Sequence, residues 1–232
     1  ITVKAFNFSE RYRIPVIILS DEVVAHTRES VELPLNSEVK VVDRIAPGMP
    51  PDWYKPYQED ARGVPPMAAF GDGYRHHVTG LVHDQDGFPT QNPQEVEQFH
   101  QRLTMKITKG LSDIQLTKKM YMDDADFFVL AYGSVARSAM RAVEEARKAG
   151  IKAGLLQLIT LFPFPRRILT PYLQQCQAVL VPELNLGQIS REVQRVNQGQ
   201  CRVVKQNRVD GKLITPQEIY TRLAQLNNGY AG

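Results

Sequence analysis

The chain has 232 residues, 43% of them hydrophobic and 23% charged, with a formal net charge of +3. That length supports an ample core in one large or two small domains. Its densest basic clusters are only pairs, Lys118-Lys119 and Arg166-Arg167, which argues against a nucleic-acid-binding stripe. No apolar run approaches the ~20 residues that cross a bilayer, so no membrane partner is expected. Cys176 and Cys201 form no close-spaced ligand motif and are expected to be reduced core thiols of a cytoplasmic protein.

The chain opens with Ile1 and enters a helical pattern at once, with Val3, Phe6 and Tyr12 near helical spacing. Ile14-Pro15-Val16-Ile17-Ile18-Leu19 reads as a strand, its early proline suiting a strand start. Ser20-Asp21-Glu22 opens a second helix carrying Val23, Val24 and His26. One strand between two helices has no sheet to join and leaves its edges unpaired. This opening is therefore expected to be the tail of a larger α/β domain, in a truncated, cleaved or split chain, and to leave apolar surface uncovered.

From about Leu33 to Asp124 the character changes. Val39-Lys40-Val41-Val42-Asp43 could form one strand. Eight of the 15 prolines then fall between Arg44 and Pro93, a density that excludes long regular elements. Trp53, Tyr54, Tyr57, Phe70, Tyr74 and Phe88 are interleaved with them, and disordered segments are poor in aromatics. The segment is expected to wrap over a surface and anchor its rings there. Asn92-Pro93 supplies an N-cap and a first helical residue for a helix ending near Gly110. His76, His77 and His83, with Asp84 and Asp86, invite a metal reading, but Asp84-Gln85-Asp86-Gly87 places its glycine too early for a calcium loop. A zinc site would lack cysteines and regular spacing. A hairpin with Asp-Gly at its turn is the simpler reading.

The last third alternates apolar runs with capped helices. Phe127-Phe128-Val129-Leu130 and Ala178-Val179-Leu180-Val181 have the continuous apolar character of parallel strands covered on both faces. Ser134 is placed to cap a helix running to Ala149, with Gly150 at its stop. Ile151 to Leu158 is a strand. Between Arg166 and Gln175, Pro171 suggests a short helix capped by Thr170. Ile189, Val193 and Val196 line the helix after Gly187, and Cys201-Arg202-Val203-Val204 is a fourth strand. Thr215-Pro216-Gln217-Glu218 is a capping box. The expected result is a four-stranded, mainly parallel sheet over about 126 to 206, with right-handed crossovers and residues 1 to 30 packed apart from it. Loops at the carboxyl ends of such strands usually carry function. Gly133 and Ser134 put bare amides at a helix start, either an anion contact or an ordinary cap. Glu183, Asn185 and Gln188 either meet a partner or satisfy local backbone groups.

The junctions Ala131-Tyr132-Gly133-Ser134 and Pro182-Glu183-Leu184-Asn185-Leu186-Gly187-Gln188, with Pro163-Phe164-Pro165 between them, resemble the C-terminal domain of the transketolase group. The form is that of 2-oxoacid:ferredoxin oxidoreductase alpha subunits, 2-oxoglutarate branch. Residues 5 to 24, continued by His26-Thr27-Arg28-Glu29, resemble the end of that subunit's pyrimidine domain, and Thr79 to Asp84 its connecting segment. The resemblance implies an α/β chain of three parts. Residues 1–36 would be the tail of the thiamine-pyrimidine domain, 37–122 a long irregular connection with a helix near 93–110, and 123–232 a transketolase C-terminal-like parallel sheet domain.

By the same resemblance, the complete complex would use thiamine diphosphate and magnesium to decarboxylate 2-oxoglutarate oxidatively onto coenzyme A. Electrons would pass through an iron–sulfur cluster to ferredoxin. Two separated cysteines cannot supply four cluster thiolates, so the cluster is expected in a beta-type subunit. The residues that grip the 2-oxoacid and the aminopyrimidine lie mostly upstream in the family. No catalytic, cofactor-binding or metal residue is therefore expected here, and the chain is expected to serve assembly, to be inactive alone, and to act only with the missing N-terminal region of the alpha subunit and a beta-type subunit. The alternatives are a non-catalytic assembly or ligand-binding module on the same fold, or a subunit acting on another 2-oxoacid.

Overall fold

The first helix, α1 (Thr2–Tyr12), ends where Arg13 turns into the left-handed region at φ 46°. The structure is a computed structural model that describes residues 1–199 and 201–230. It divides into two units, one of Ile1–Leu19 with Glu29–Ile114, the other of Ser20–Arg28 with Gln115–Gly232. The second helix, α2 (Glu22–His26), belongs to the latter.

In the first unit, the strand expected over Ile14–Leu19 does not form. The segment joins no sheet among the described residues, and Ile17 and Leu19 are 82% and 75% exposed. A strand needs a neighbour for its backbone groups, and this unit offers none. Val39–Asp43 is likewise not a strand, for a more specific reason. The Asn7 side chain takes the place of a partner strand, accepting from the Val42 amide at 2.9 Å and donating to the Lys40 carbonyl at 2.7 Å.

The proline-rich connection poses an accounting problem, because prolines keep a carbonyl but donate nothing. Arg13 answers part of it, donating to the carbonyls of Pro56 at 2.7 Å and Pro66 at 3.3 Å while lying over the Tyr57 ring. The buried Tyr54 hydroxyl donates to Pro66 and accepts from the Ala68 amide. Rings therefore anchor the segment as expected at Tyr54 and Tyr57, whereas Trp53, Phe70 and Phe88 face outward. Asp84 to Phe88 forms a tight turn with Gly87 at φ 97° and a single bridge from His83 to Pro89. His83 bonds Thr79 and stacks on Tyr57. The next helix, α3 (Pro93–Lys109), is capped by Asn92 through the Gln94 amide, and a single turn, α4 (Leu111–Ile114), follows. Lys106 of α3 is 3% exposed and donates to the Arg13 carbonyl. Tyr12 packs so closely on Gly110 that a Cβ there would lie 2.5 Å from the ring.

The second unit is a five-stranded sheet. Its elements are β1 (Thr117–Met120), β2 (Phe127–Ala131), α5 (Val135–Lys148), β3 (Ala153–Leu158), α6 (Arg166–Gln175), β4 (Ala178–Glu183), α7 (Gln188–Asn197), β5 (Arg202–Asn207) and α8 (Pro216–Tyr230). The strand order is β1-β3-β2-β4-β5, parallel except for β1, which runs antiparallel to β3. The four expected strands are present. The fifth, β1, was hidden because half of it is Lys118-Lys119, the charge that protects an edge strand from further pairing.

Every residue of β2 and β4 is buried, as a strand covered on both faces requires. Each large apolar side chain of these two strands contributes roughly 1.5–3 kcal/mol by its burial. One layer is α5 and α8, through Ala139, Ala142, Val143, Ile219 and Leu223. The other is α6 and α7, through Leu169, Leu173, Val193 and Val196. Gly150 follows the end of α5 at φ 81°. The capping box forms reciprocally, Glu218 amide to Thr215 hydroxyl and Thr215 amide to Glu218 carboxylate. Helix α6 corrects the reading at Thr170, since it runs continuously from Arg166 with Pro171 inside. Pro171 and Arg167 are exposed, so the carbonyl left without its helical donor is open to water. Both cysteines are buried, and burial pushes each thiol up to about 11, which leaves them inert.

Candidate functional site

The chain leaves β2 for β3 on one side and then crosses back to β4 on the other. The loops after β2 and β4 therefore flank the point where strand order reverses, the usual ligand crevice of an open parallel sheet. Tyr132, Gly133 and Ser134 come from the first loop, and Glu183 to Gln188 from the second.

The two loops are tied together. The Tyr132 hydroxyl donates to Glu183 Oε1 at 3.0 Å and accepts from Asn185 Nδ2 at 2.7 Å. Glu183 is 1% exposed, and its carboxylate accepts the amides of Ile189 at 2.8 Å and Ser190 at 3.0 Å. Asn185 Oδ1 accepts those of Gly187 at 2.7 Å and Gln188 at 2.9 Å. The four amides that a helix start leaves open are thus all filled at α7 by two side chains of the preceding loop. Burial, then the Glu183 carboxylate, pushes the Tyr132 phenol up, keeping it a donor. Gly187 sits at φ 92°, and a Cβ there would approach Ser190 Oγ at 2.7 Å.

The start of α5 is filled from far away in sequence. Asp21 Oδ2 accepts the Ser134 amide at 2.8 Å while its Oδ1 accepts the Val24 amide at 2.9 Å. One carboxylate therefore caps α2 and α5 together. Burial alone would raise the Asp21 carboxyl, but the Val24 and Ser134 donors hold it below the usual range. Gly133, at φ 57°, brings its backbone so near that a Cβ would stand 3.0 Å from Asp21 Oδ2. Residues 20 to 28 are thus part of the sheet unit, and the expectation that residues 1 to 30 lie apart from it fails there.

Of the five residues singled out in the sequence, Gly133 and Ser134 gather around Asp21, while Glu183 and Asn185 gather around Tyr132. The Ser134 hydroxyl makes no cap bond; its amide is the functional group. The Gln188 side chain is exposed and joins neither cluster. Sequence reasoning missed Asp21 and Tyr132 as members. Tyr132 lay within a quoted junction, but nothing local ties Asp21 to a helix so distant in sequence.

Residues 1–101 match the family described as "Pyruvate flavodoxin/ferredoxin oxidoreductase, thiamine diP-bdg", and 125–219 match "Pyruvate:ferredoxin oxidoreductase core domain II". The chain is 39% identical over 97% of its length to "2-oxoglutarate synthase subunit KorA" of Methanothermobacter thermautotrophicus, covering 60% of that protein. It is 37% identical over 94% of its length to the protein of the same name from Methanocaldococcus jannaschii, covering 58%. The chain belongs to the alpha-subunit family of 2-oxoacid:ferredoxin oxidoreductases. It spans about three fifths of the length of the curated relatives it matches. A solved member of similar architecture is "2-oxoglutarate:ferredoxin oxidoreductase from Magnetococcus marinus with 2-oxoglutarate, coenzyme A and succinyl-CoA bound". Its TM-score is 0.87 at 26% identity, over 94% of this chain and 38% of that one.

Within this alpha-subunit segment, the switch point does not fit a diphosphate. Asp21 and Glu183 already place negative charge at the two helix starts, and a phosphate there would meet repulsion. Among the described residues no three His, Cys, Asp or Glu side chains gather as a metal-ligand set.

Proposed function

We propose that this chain is the C-terminal part of the alpha subunit of a 2-oxoglutarate:ferredoxin oxidoreductase. The complex would convert 2-oxoglutarate and coenzyme A to succinyl-CoA and carbon dioxide, passing two electrons to ferredoxin in the cytoplasm. The substrate reading is supported by relatives named for 2-oxoglutarate at 35–40% identity. Those named for ketoisovalerate stand at 28% and 30%. Thiamine diphosphate, magnesium and the iron–sulfur cluster are assigned to other parts of the complex, the last because four thiolates are needed.

The role proposed for this segment is assembly. The observation that carries it is the Asp21 carboxylate at the start of α5, where a ligand-binding sheet would leave its amides open. The crevice is spent on holding a segment of the chain itself. Tyr132, Glu183 and Asn185 brace the neighbouring loop in the same way, so both loops present fixed surfaces. Size-exclusion chromatography with the beta-type subunit tests this reading. A stable complex is expected, with dye reduction by 2-oxoglutarate and coenzyme A only when the N-terminal region of the alpha subunit is supplied as well; failure of the two chains to associate would overturn it.

A further inference from the structure

One corner of the second unit carries cations that nothing in the unit neutralises. The unit holds seventeen Lys and Arg against eleven Asp and Glu, and no acidic residue occurs between Glu145 and Glu183. Arg166 and Arg167 open α6, and both are exposed. Among the described residues neither has an ion-pair partner. By contrast Arg141, Arg147, Arg195 and Arg208 each pair with a carboxylate. Lys119 stands over the Tyr172 ring of α6 at 5.2 Å, which joins the strand to the helix.

At the same corner, Phe162 is 86% exposed on a loop that is firmly held. Gln115 Nε2 donates to the carbonyls of Pro163 at 3.3 Å and Phe164 at 2.9 Å. The amides of Ile159 and Thr160 both reach the Leu116 carbonyl. Phe164 and Leu161 pack inward, so Phe162 is an aromatic presented to solvent from a pre-organised loop. Such rings, flanked by charge, are typical interface anchors.

Resting on the assembly reading above, we infer that this corner docks an acidic surface of the beta-type subunit. Phe162 is the apolar anchor, with Arg166, Arg167 and Lys119 as the charge-complementary rim. A small phosphate ligand would need donors converging on one point, whereas these cations are spread along a strand edge and a helix start around a ring.

The test is the affinity of this chain for the purified beta-type subunit, measured by titration at about 50 and 300 mM salt. The variants are Phe162→Ala, the double reversal Arg166→Glu/Arg167→Glu, and the charge-matched control Lys212→Glu/Arg222→Glu. Glutamates in the first turn of α6 suit its dipole, so the reversal should keep the fold, which circular dichroism verifies. The expected result is about tenfold or greater weakening for Phe162→Ala at both salts. The reversal should weaken binding at least as much and flatten its salt dependence, with the control unchanged. Wild-type affinity in both corner variants overturns the docking inference and leaves the subunit reading standing. Equal weakening by the control overturns it as well. Absence of binding by the wild type overturns the inference together with the subunit reading.

Discussion

The carboxylate of Asp21 accepts the amide of Ser134 at 2.8 Å across 113 positions of sequence. With its other oxygen on Val24, it fastens the segment 20–28 to the sheet. Replacing it with Ala removes two caps at once, and a loss of about 1–2 kcal/mol is expected in urea unfolding of this chain. Asp21→Asn should lose less, because its one amide oxygen keeps one of the two bonds. The folded carboxyl lies below its usual value, so its contribution is full above the unfolded pKa near 3.9 and is lost as pH falls through the folded one. The acid limb of stability should be shallower in Asp21→Asn; an unchanged limb would count against the contact.

Glu183 is buried and accepts from Tyr132, Ile189 and Ser190. Glu183→Ala leaves all three donors without a partner, and about 2–4 kcal/mol of destabilisation is expected. Tyr132→Phe removes the bond from Asn185 as well as the one to Glu183, and should lose about 1–2 kcal/mol. Because Tyr132 and Glu183 share the latter bond, the double variant should fall short of the sum. Full additivity in denaturation would show that the network is not coupled.

Much of the second unit was legible in the sequence because its signals are local. The runs at Phe127 and Ala178, the stop at Gly150 and the Thr215–Glu218 box each act within a few residues. What was not legible depends on distant neighbours. β1 carries two lysines in four residues and becomes a strand only because β3 offers an edge. Ile14–Leu19 has strand composition and no edge to join in its own unit. Pro171 was read as a helix start, yet the carbonyl it orphans belongs to the exposed Arg167 and the helix runs through it. At the candidate site, Glu183 and Asn185 were visible as polar residues after a buried strand. Asp21 was not, since the helix it fills lies in another third of the chain.

Lys106 is held down to about 8 by burial, and then by Arg102 and Arg13. The unfolded ammonium titrates near 10.4, so between about pH 8 and 10.4 the unfolded state binds more protons and this group's effect on stability improves as pH rises. Lys106→Met removes the buried charge but also the bond to the Arg13 carbonyl. It should be more stable than wild type by on the order of 1 kcal/mol at pH 7, with the gap closing towards pH 10. A gap that stays constant over that interval would contradict the burial of a charged group.

Gly110 lies where a Cβ would come within 2.5 Å of the Tyr12 ring, and Tyr12 is fixed by its bond to Asp113 at 2.9 Å. Gly110→Ala should therefore destabilise the chain by about 1–3 kcal/mol through overpacking. Adding Tyr12→Leu should recover part of that loss. Calorimetric melting of the two single variants and the double variant checks the coupling; no recovery would mean the strain lies elsewhere.

The central claim is that this chain belongs to a complex acting on 2-oxoglutarate. It is tested most directly by steady-state dye reduction in an assembly of the beta-type subunit with a full-length alpha subunit that carries this segment, with coenzyme A present. The account expects kcat/KM for 2-oxoglutarate to exceed those for pyruvate and 2-oxoisovalerate by about tenfold or more, a transition-state preference of about 1.4 kcal/mol. Preference for either other acid, or a stable assembly without turnover of any of the three, would contradict it.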